Sequence, residues 1–150
     1  MAQTYTNLLT HIIFSTKDRE SSIRPELRPD LHAYMGGIIH SLDGQALLVN
    51  GTGDHVHLLV WLPPTLAIAD ALRVLKANSS RWVHQTFPAQ KAFAWQAGYG
   101  AFSVSHSNVP AVVRYIQDQQ KHHRKKSFQE EFLAFLRRNK IAYDERYIWK

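Results

Sequence analysis

Apolar and polar positions change their period several times along the chain, and each change marks an element. Residues 7–15, "NLLTHIIFS", are apolar and β-branched, the composition of a strand. The following run to Asp30 is polar and Pro-containing, which predicts a loop. Leu31, Tyr34, Met35, Ile38 and Leu42 then recur at helical spacing. Gly36 and Gly37 weaken that helix and point to close packing against a sheet. "QALLVNGT" and "HVHLLVWL" read as two short strands joined by a turn through Gly51, Gly53 and Asp54, and Pro63-Pro64 ends the second. Ile68, Leu72, Leu75, Ser79, Trp82 and Val83 line one side of a long helix that stops near Pro88. "GAFSVS" is a further short strand. Residues 107–123 form a helix with Asn108 as N-cap and Pro110 in its first turn. Residues 127–140 open on a Ser127/Glu130 capping box and carry Phe128, Phe132, Phe135 and Leu136 on one stripe.

The order is β-α-β-β-α-β followed by α-α. It predicts an α+β fold of the ferredoxin-like kind, an antiparallel sheet with helices on one face plus C-terminal helices. No repeat or linker interrupts it, so residues 1–150 are expected to form one domain. The apolar fraction of 45% and charged fraction of 20% suit a globular chain with a real core. Cysteine is absent, which excludes disulfides and thiolate metal sites. No apolar run is long enough to cross a membrane, and the N-terminus lacks the features of a signal peptide, so a cytoplasmic protein is expected. The formal charge of +6 leans toward a polyanionic partner, nucleic acid before membrane.

Chemistry enters at "GDHVHLLVWL". Side chains alternate across a strand, so His55 and His57 share one face while Val56 and Leu58 point the other way. On an open sheet face two imidazoles make a bidentate metal platform; two surface histidines are the plain alternative. Asp54 falls on the opposite face and reads as a turn residue. A histidine-triad hydrolase would need a third alternating histidine, and position 59 is leucine. A two-histidine phosphoesterase would need a second His-x-Thr/Ser strand, which is absent. The remaining option is a metal site that takes a third ligand from elsewhere. Tyr115 and Gln119 lie one turn apart on one helix face, and His122 continues it. The Gln119 amide oxygen can ligate a cation, and Tyr115 beside that cation can act as a nucleophile toward a phosphodiester. A helix-surface pair is the alternative. His123 falls on the apolar side and reads as structural.

This set resembles the small single-tyrosine HUH transposases of prokaryotic insertion sequences, which act on single-stranded DNA. "GDHVHLLV" matches the HUH motif. "HIIFSTK" looks like the first strand, "LKANSSRWV" the Lys-x-x-Ser-Ser helix, and "WQAGYGAFSVS" the strand before the catalytic helix. "YIQDQQKHHRKKSFQEEF" and "YDERYIW" look like the C-terminal portion. The resemblance implies that His55, His57 and Gln119 hold one divalent ion, Mg2+ or Mn2+, and that Tyr115 is the nucleophile. It implies a 5′-phosphotyrosine link, a free 3′-OH, and rejoining by reversal. It also implies a DNA hairpin as substrate, and a homodimer in which the histidines of one subunit work with the tyrosine helix of the other.

Basic residues are assigned by position. Arg73, Lys76, Ser80 and His84 share the polar face of the long helix, and Arg73 and Lys76 are candidate DNA contacts. Lys121, Arg124, Lys125 and Lys126 form the densest basic run, just past Tyr115, where phosphate binding is expected. His11 can share the active face of the sheet as a second layer behind the histidines. Two rival functions stand beside the transposase. One is a catalytically silent nucleic-acid-binding protein. The other is a metal phosphodiesterase that uses water, with Tyr115 a bystander.

Overall fold

A computed structural model describes residues 2–150. Strands β1 (Leu9–Ser15), β2 (Gln45–Gly51), β3 (His55–Trp61) and β4 (Gly100–Ser103) form one sheet in the order β2-β3-β1-β4. Every neighbouring pair is antiparallel. This is the ferredoxin-like order that the element pattern predicts. The helices are α1 (Arg28–Ser41), α2 (Ile68–Thr86), α3 (Val109–Gln117), α4 (Gln119–His122) and α5 (Phe128–Arg138).

Strand alternation divides the core in two. Ile12, Phe14, Val56, Leu58 and Val60 face α1 and α2, where they pack with Leu31, Met35, Ile39, Leu72 and Leu75. Each such side chain, fully buried, stabilises the fold by about 1.5–3 kcal/mol. The other face is covered too. Leu59 packs with Ile116 of α3, and Ile13 packs with Phe128 and Phe132 of α5. The C-terminal helices therefore roof the sheet face that carries the histidine pair, and His55 and His57 are 0% exposed. The reason lies in β1 and β3, which carry apolar residues on both faces. Ile13 and Leu59 would otherwise stand in water beside the imidazoles.

Local devices hold the histidines in register. In the β2–β3 turn, Thr52 N–H donates to the His55 carbonyl at 3.1 Å. A Cβ at Gly51 would overlap that same carbonyl oxygen, so only glycine lets the turn close. Gly36 and Gly37 do not serve close packing. A Cβ at Gly36 would meet Ala46 only at 3.9 Å, and one at Gly37 would meet nothing within 4 Å.

The helix predicted over residues 107–123 is split at Asp118, whose φ/ψ of −94°/21° leaves the helical region. Asn50 of β2 explains the break: its amide donates to the carbonyls of Ile116 (2.8 Å) and Gln117 (3.3 Å). Those carbonyls are drawn toward the sheet just where the helix axis changes. Asn108 is itself helical (φ −94°, ψ −3°) and its side chain caps nothing. The Ser127/Glu130 capping box is present as predicted.

Candidate active site and metal centre

Tyr115, Gln119 and the histidine pair come together under the C-terminal roof. Gln119 Oε1 lies 3.1 Å from His55 Nε2. Its amide nitrogen donates to the Tyr115 carbonyl at 3.2 Å, which fixes the orientation of the side chain. On the far side of the His55 ring, Nδ1–H donates to Asp54 Oδ1 at 2.7 Å, with Thr52 Oγ1 at 3.0 Å. Asp54 is a turn residue, as the sequence suggests, and it also orients His55. With that proton on Nδ1, the Nε2 lone pair faces an amide oxygen lone pair. Two acceptors at this distance repel unless a proton or a cation lies between them.

Glu131 of α5 is the residue that sequence reasoning passes over. One carboxylate oxygen, Oε1, lies 2.9 Å from His57 Nε2, 3.2 Å from His123 Nε2 and 3.6 Å from His55 Nε2. The other, Oε2, accepts a hydrogen bond from the Tyr115 hydroxyl. A signal was present: Glu131 sits on the stripe of Phe128, Phe132 and Phe135, where a carboxylate is costly to bury unless it is partnered. His123 reads from sequence as structural, and the structure differs. It belongs to the cluster, with its ring 4.3 Å from that of His55 and its Nε2 against Glu131, after the break at Asp118 redirects the chain. His11 takes the expected second layer, with Nε2 at 2.8 Å from His57 Nδ1.

His55, His57, His123 and Glu131 each offer one ligand atom, and the four atoms lie within 4.8 Å of one another. Separations near 3 Å are what adjacent ligands show around an ion with bonds of about 2.1 Å. Glu131 Oε1, at 2.9–3.6 Å from the three imidazole nitrogens, meets that spacing, and a small inward adjustment of the imidazoles would let the set hold a divalent cation, with Gln119 Oε1 as a further oxygen. Burial pushes the His57 pKa down to about 4, against the opposing pull of Glu131, and burial beside His57 takes His11 down to about 3. Both imidazoles are neutral near pH 7, and for His57 that is the state a metal ligand needs. Burial raises the Glu131 carboxyl, but hydrogen bonds from His123, His57 and Tyr115 outweigh it and hold the group below the usual carboxylate range. Burial and the Glu131 charge push the Tyr115 phenol up.

The basic residues separate cleanly. Lys121, Lys125 and Lys126 line a cavity of about 340 Å³ together with Tyr115, His122 and Glu131. Arg124 is exposed nearby and outside that lining. Lys76, expected to contact DNA, does not face outward. Its ammonium donates to three successive carbonyls, Gln96 (2.9 Å), Ala97 (3.1 Å) and Gly98 (2.6 Å), and stitches the approach to β4 onto α2. Burial lowers its pKa to about 8. Arg73, also expected there, projects from α2 on the opposite side of the sheet from Tyr115, with Asp70 at 3.9 Å. Sequence placed both on a polar helix face, which says nothing about which sheet face the helix covers. Arg138, unremarked in the sequence, lines the cavity beside Tyr115.

Comparison with known proteins decides the family. Residues 4–119 match the family described as "Transposase IS200 like". The chain belongs to that family. It is a tyrosine transposase of the IS200-like kind, an enzyme of DNA cleavage and transfer. It is 26% identical over 114 residues to the ISDra2 transposase TnpA of Deinococcus radiodurans, covering 73% of this chain and 81% of that one. It is 25% identical over 124 residues to the transposase for insertion sequence element IS200 of Salmonella typhimurium, with coverage of 79% and 81%. Among solved structures, a putative transposase from Deinococcus radiodurans superposes with a TM-score of 0.65 at 26% identity, covering 79% of this chain and 96% of that one. A REP-associated tyrosine transposase bound to a REP hairpin shares the fold, with a TM-score of 0.60 at 14% identity and coverage of 82% and 74%. The family match ends at Gln119. His123 and Glu131 lie beyond it.

Proposed function

We propose that this IS200-like transposase cleaves and rejoins single-stranded DNA through a covalent bond between Tyr115 and a 5′-phosphate. The observation that carries the reading is the bridge made by Glu131. One of its oxygens touches the imidazole cluster and the other holds the Tyr115 hydroxyl. Nucleophile and metal ligands are thus joined through one carboxylate.

His55, His57, His123, Glu131 and Gln119 would hold the cation. A divalent ion there, Mg2+ or Mn2+, would supply positive charge to polarise a scissile phosphate and to ease ionisation of Tyr115. Three imidazoles are soft partners for magnesium, so the donor set favours manganese in binding strength. Tyr115 Oη forms the bond to phosphorus, the bond from phosphorus to the 3′ oxygen breaks, and that oxygen takes up a proton, from water or from the carboxyl that received the Tyr115 proton, to leave as a 3′-OH. Glu131 Oε2 already accepts the phenolic hydrogen bond and is placed to receive the proton. In the resting site the raised Tyr115 pKa and the lowered Glu131 pKa both keep the proton on Tyr115. Lys121, Lys125 and Lys126 would bind the DNA backbone at the cavity mouth. A hairpin-bearing single strand is the substrate this reading favours, in the cytoplasm, and residues 1–150 act as one domain.

The chain places Tyr115 beside its own histidines. A homodimer with exchanged tyrosine helices is the second arrangement. β4 is an edge strand of the sheet, a place where pairing across a two-fold axis can occur, and residues 104–108 connect it to α3. Exchange would break the Asn50 bonds to Ile116 and Gln117. The primary test uses labelled single-stranded DNA on a denaturing gel. The native chain should give a shifted covalent band, and Tyr115→Phe should give none. An equal band from the phenylalanine variant would return the function to a water-using phosphodiesterase.

A further inference from the structure

Tyr115 stands between two cavities. One is the basic cavity already described. The second, of about 250 Å³, is bounded by His11, Asn108, Val112, Tyr115, Phe135 and Arg138. Tyr115, Phe135 and Arg138 line both, so the two adjoin at the proposed nucleophile. Their chemistry differs. The first carries three lysines. The second is walled by aromatic rings and aliphatic carbon, with His11 and Phe135 edge to face at 5.2 Å and Tyr115 and Phe135 at 5.7 Å.

Two polar groups line the second cavity, and neither has a hydrogen-bond or ion-pair partner among the described residues. The Asn108 amide makes no hydrogen bond among the described residues, although its position at the start of α3 is where an asparagine normally caps. The Arg138 guanidinium has no ion pair among the described residues and rests on the Phe135 ring at 5.4 Å. Its charge also acts on Tyr115.

We propose that the second cavity binds the nucleobase that flanks the scissile phosphate, stacked on Phe135 and read at its edge by Asn108. The inference rests on the reading of Tyr115 as nucleophile. A strand whose phosphate sits at Tyr115 must leave on both sides of it. On the lysine side the matching group is the phosphate backbone. On the other side it is an unpaired base, whose flat face suits an aromatic wall and whose edge offers the donors and acceptors that a planar amide can match. Arg138, at the border of the two cavities, is placed to hold the phosphate between them. A duplex could not enter, because its bases are stacked and paired.

The test uses the full chain as Tyr115→Phe, which binds without cleaving, with 2-aminopurine at each position flanking the scissile linkage. Fluorescence should be quenched at one neighbour only, and Phe135→Leu should relieve the quenching. An abasic site at that position should weaken binding at least about fivefold. In a cleavage assay with Tyr115 intact, Asn108→Ala should reduce the preference among the four bases there by a similar factor. Asn108 is exposed, so this variant should fold even if Phe135→Leu does not. Tolerance of abasic sites at both neighbours, or base preference unchanged in Asn108→Ala, overturns the pocket. The two readings fail separately. A Tyr115-dependent adduct with full abasic tolerance removes the pocket and leaves the nucleophile. Quenching without any adduct leaves the pocket and removes the nucleophile.

Discussion

Replacing Glu131 by glutamine removes one charge and keeps the shape, so it isolates what the carboxylate does. Manganese affinity, followed by calorimetry or spin resonance, should fall at least about tenfold while the circular dichroism stays native. Unchanged affinity would take Glu131 out of the ligand set. At Lys76 the contrast is between structure and DNA contact. Lys76→Met leaves three carbonyls without their donor, and hydrogen bonds to a charged group are worth about 1.5–3 kcal/mol each, partly recovered by water. The urea midpoint should therefore drop by an amount equivalent to about 2–3 kcal/mol. The salt dependence of DNA binding should stay as it was. Neutralising Lys125 and Lys126 should do the opposite, leaving stability intact and flattening the salt slope by about one to two. A flatter slope in Lys76→Met would restore it as a DNA contact.

Among the elements, α1 is less ideal than its packing requires. Gly37 is helical, and a methyl group there would meet nothing within 4 Å, so Gly37→Ala should stabilise the fold by about 0.5–1 kcal/mol. A loss on thermal or urea unfolding would show that the glycine is needed after all. The same helix carries a pH liability. Burial, with a smaller contribution from Arg28, lowers the His32 pKa to about 4, and its Nε2 is buried with no partner among the described residues. The unfolded chain binds this proton below about 6.5, and the folded chain only below about 4. Between those values the unfolded state holds more protons, so the contribution is full above about pH 6.5 and is lost as pH falls toward 4. The loss from this one group is at most about 3 kcal/mol. His32→Phe should flatten the stability curve over that window, away from any metal ligand. An unchanged acid limb would assign the effect to other groups.

At the scale of the whole molecule, the proposed tyrosine nucleophile can serve its own chain or a partner copy. Mixing Tyr115→Phe with His57→Ala distinguishes the two. A self-contained site, as the contacts of α3 with its own β2 favour, leaves every subunit in the mixture dead. A shared site returns up to about one working site per mixed dimer, because one composite site unites the intact tyrosine with intact histidines. Subunit exchange, confirmed independently, makes either result decisive. A chelator should abolish adduct formation in both arrangements, and manganese should restore it. Among the described residues no helix is long and apolar enough to cross a membrane.

What the sequence determined by itself was local and periodic. Alternation in "HVHLLVWL" set His55 and His57 on one face, and helical spacing joined Tyr115 to Gln119. The order of elements was enough for the ferredoxin-like topology, since short connections leave few ways to arrange four strands and two crossing helices. The C-terminal helices were legible as helices, from a capping box and an apolar stripe. Their placement was not. Only the tertiary structure roofed the histidine face with α3–α5, because that outcome depends on Ile13 and Leu59 needing cover rather than on any pattern within the helices. The same packing brought Glu131 to His57, 74 residues away in sequence, with His123 beside it. It also turned Lys76 inward to meet the carbonyls of residues 96–98. Periodicity reports which side of an element is apolar. Which other element that side meets is decided by the competition among all buried surfaces at once.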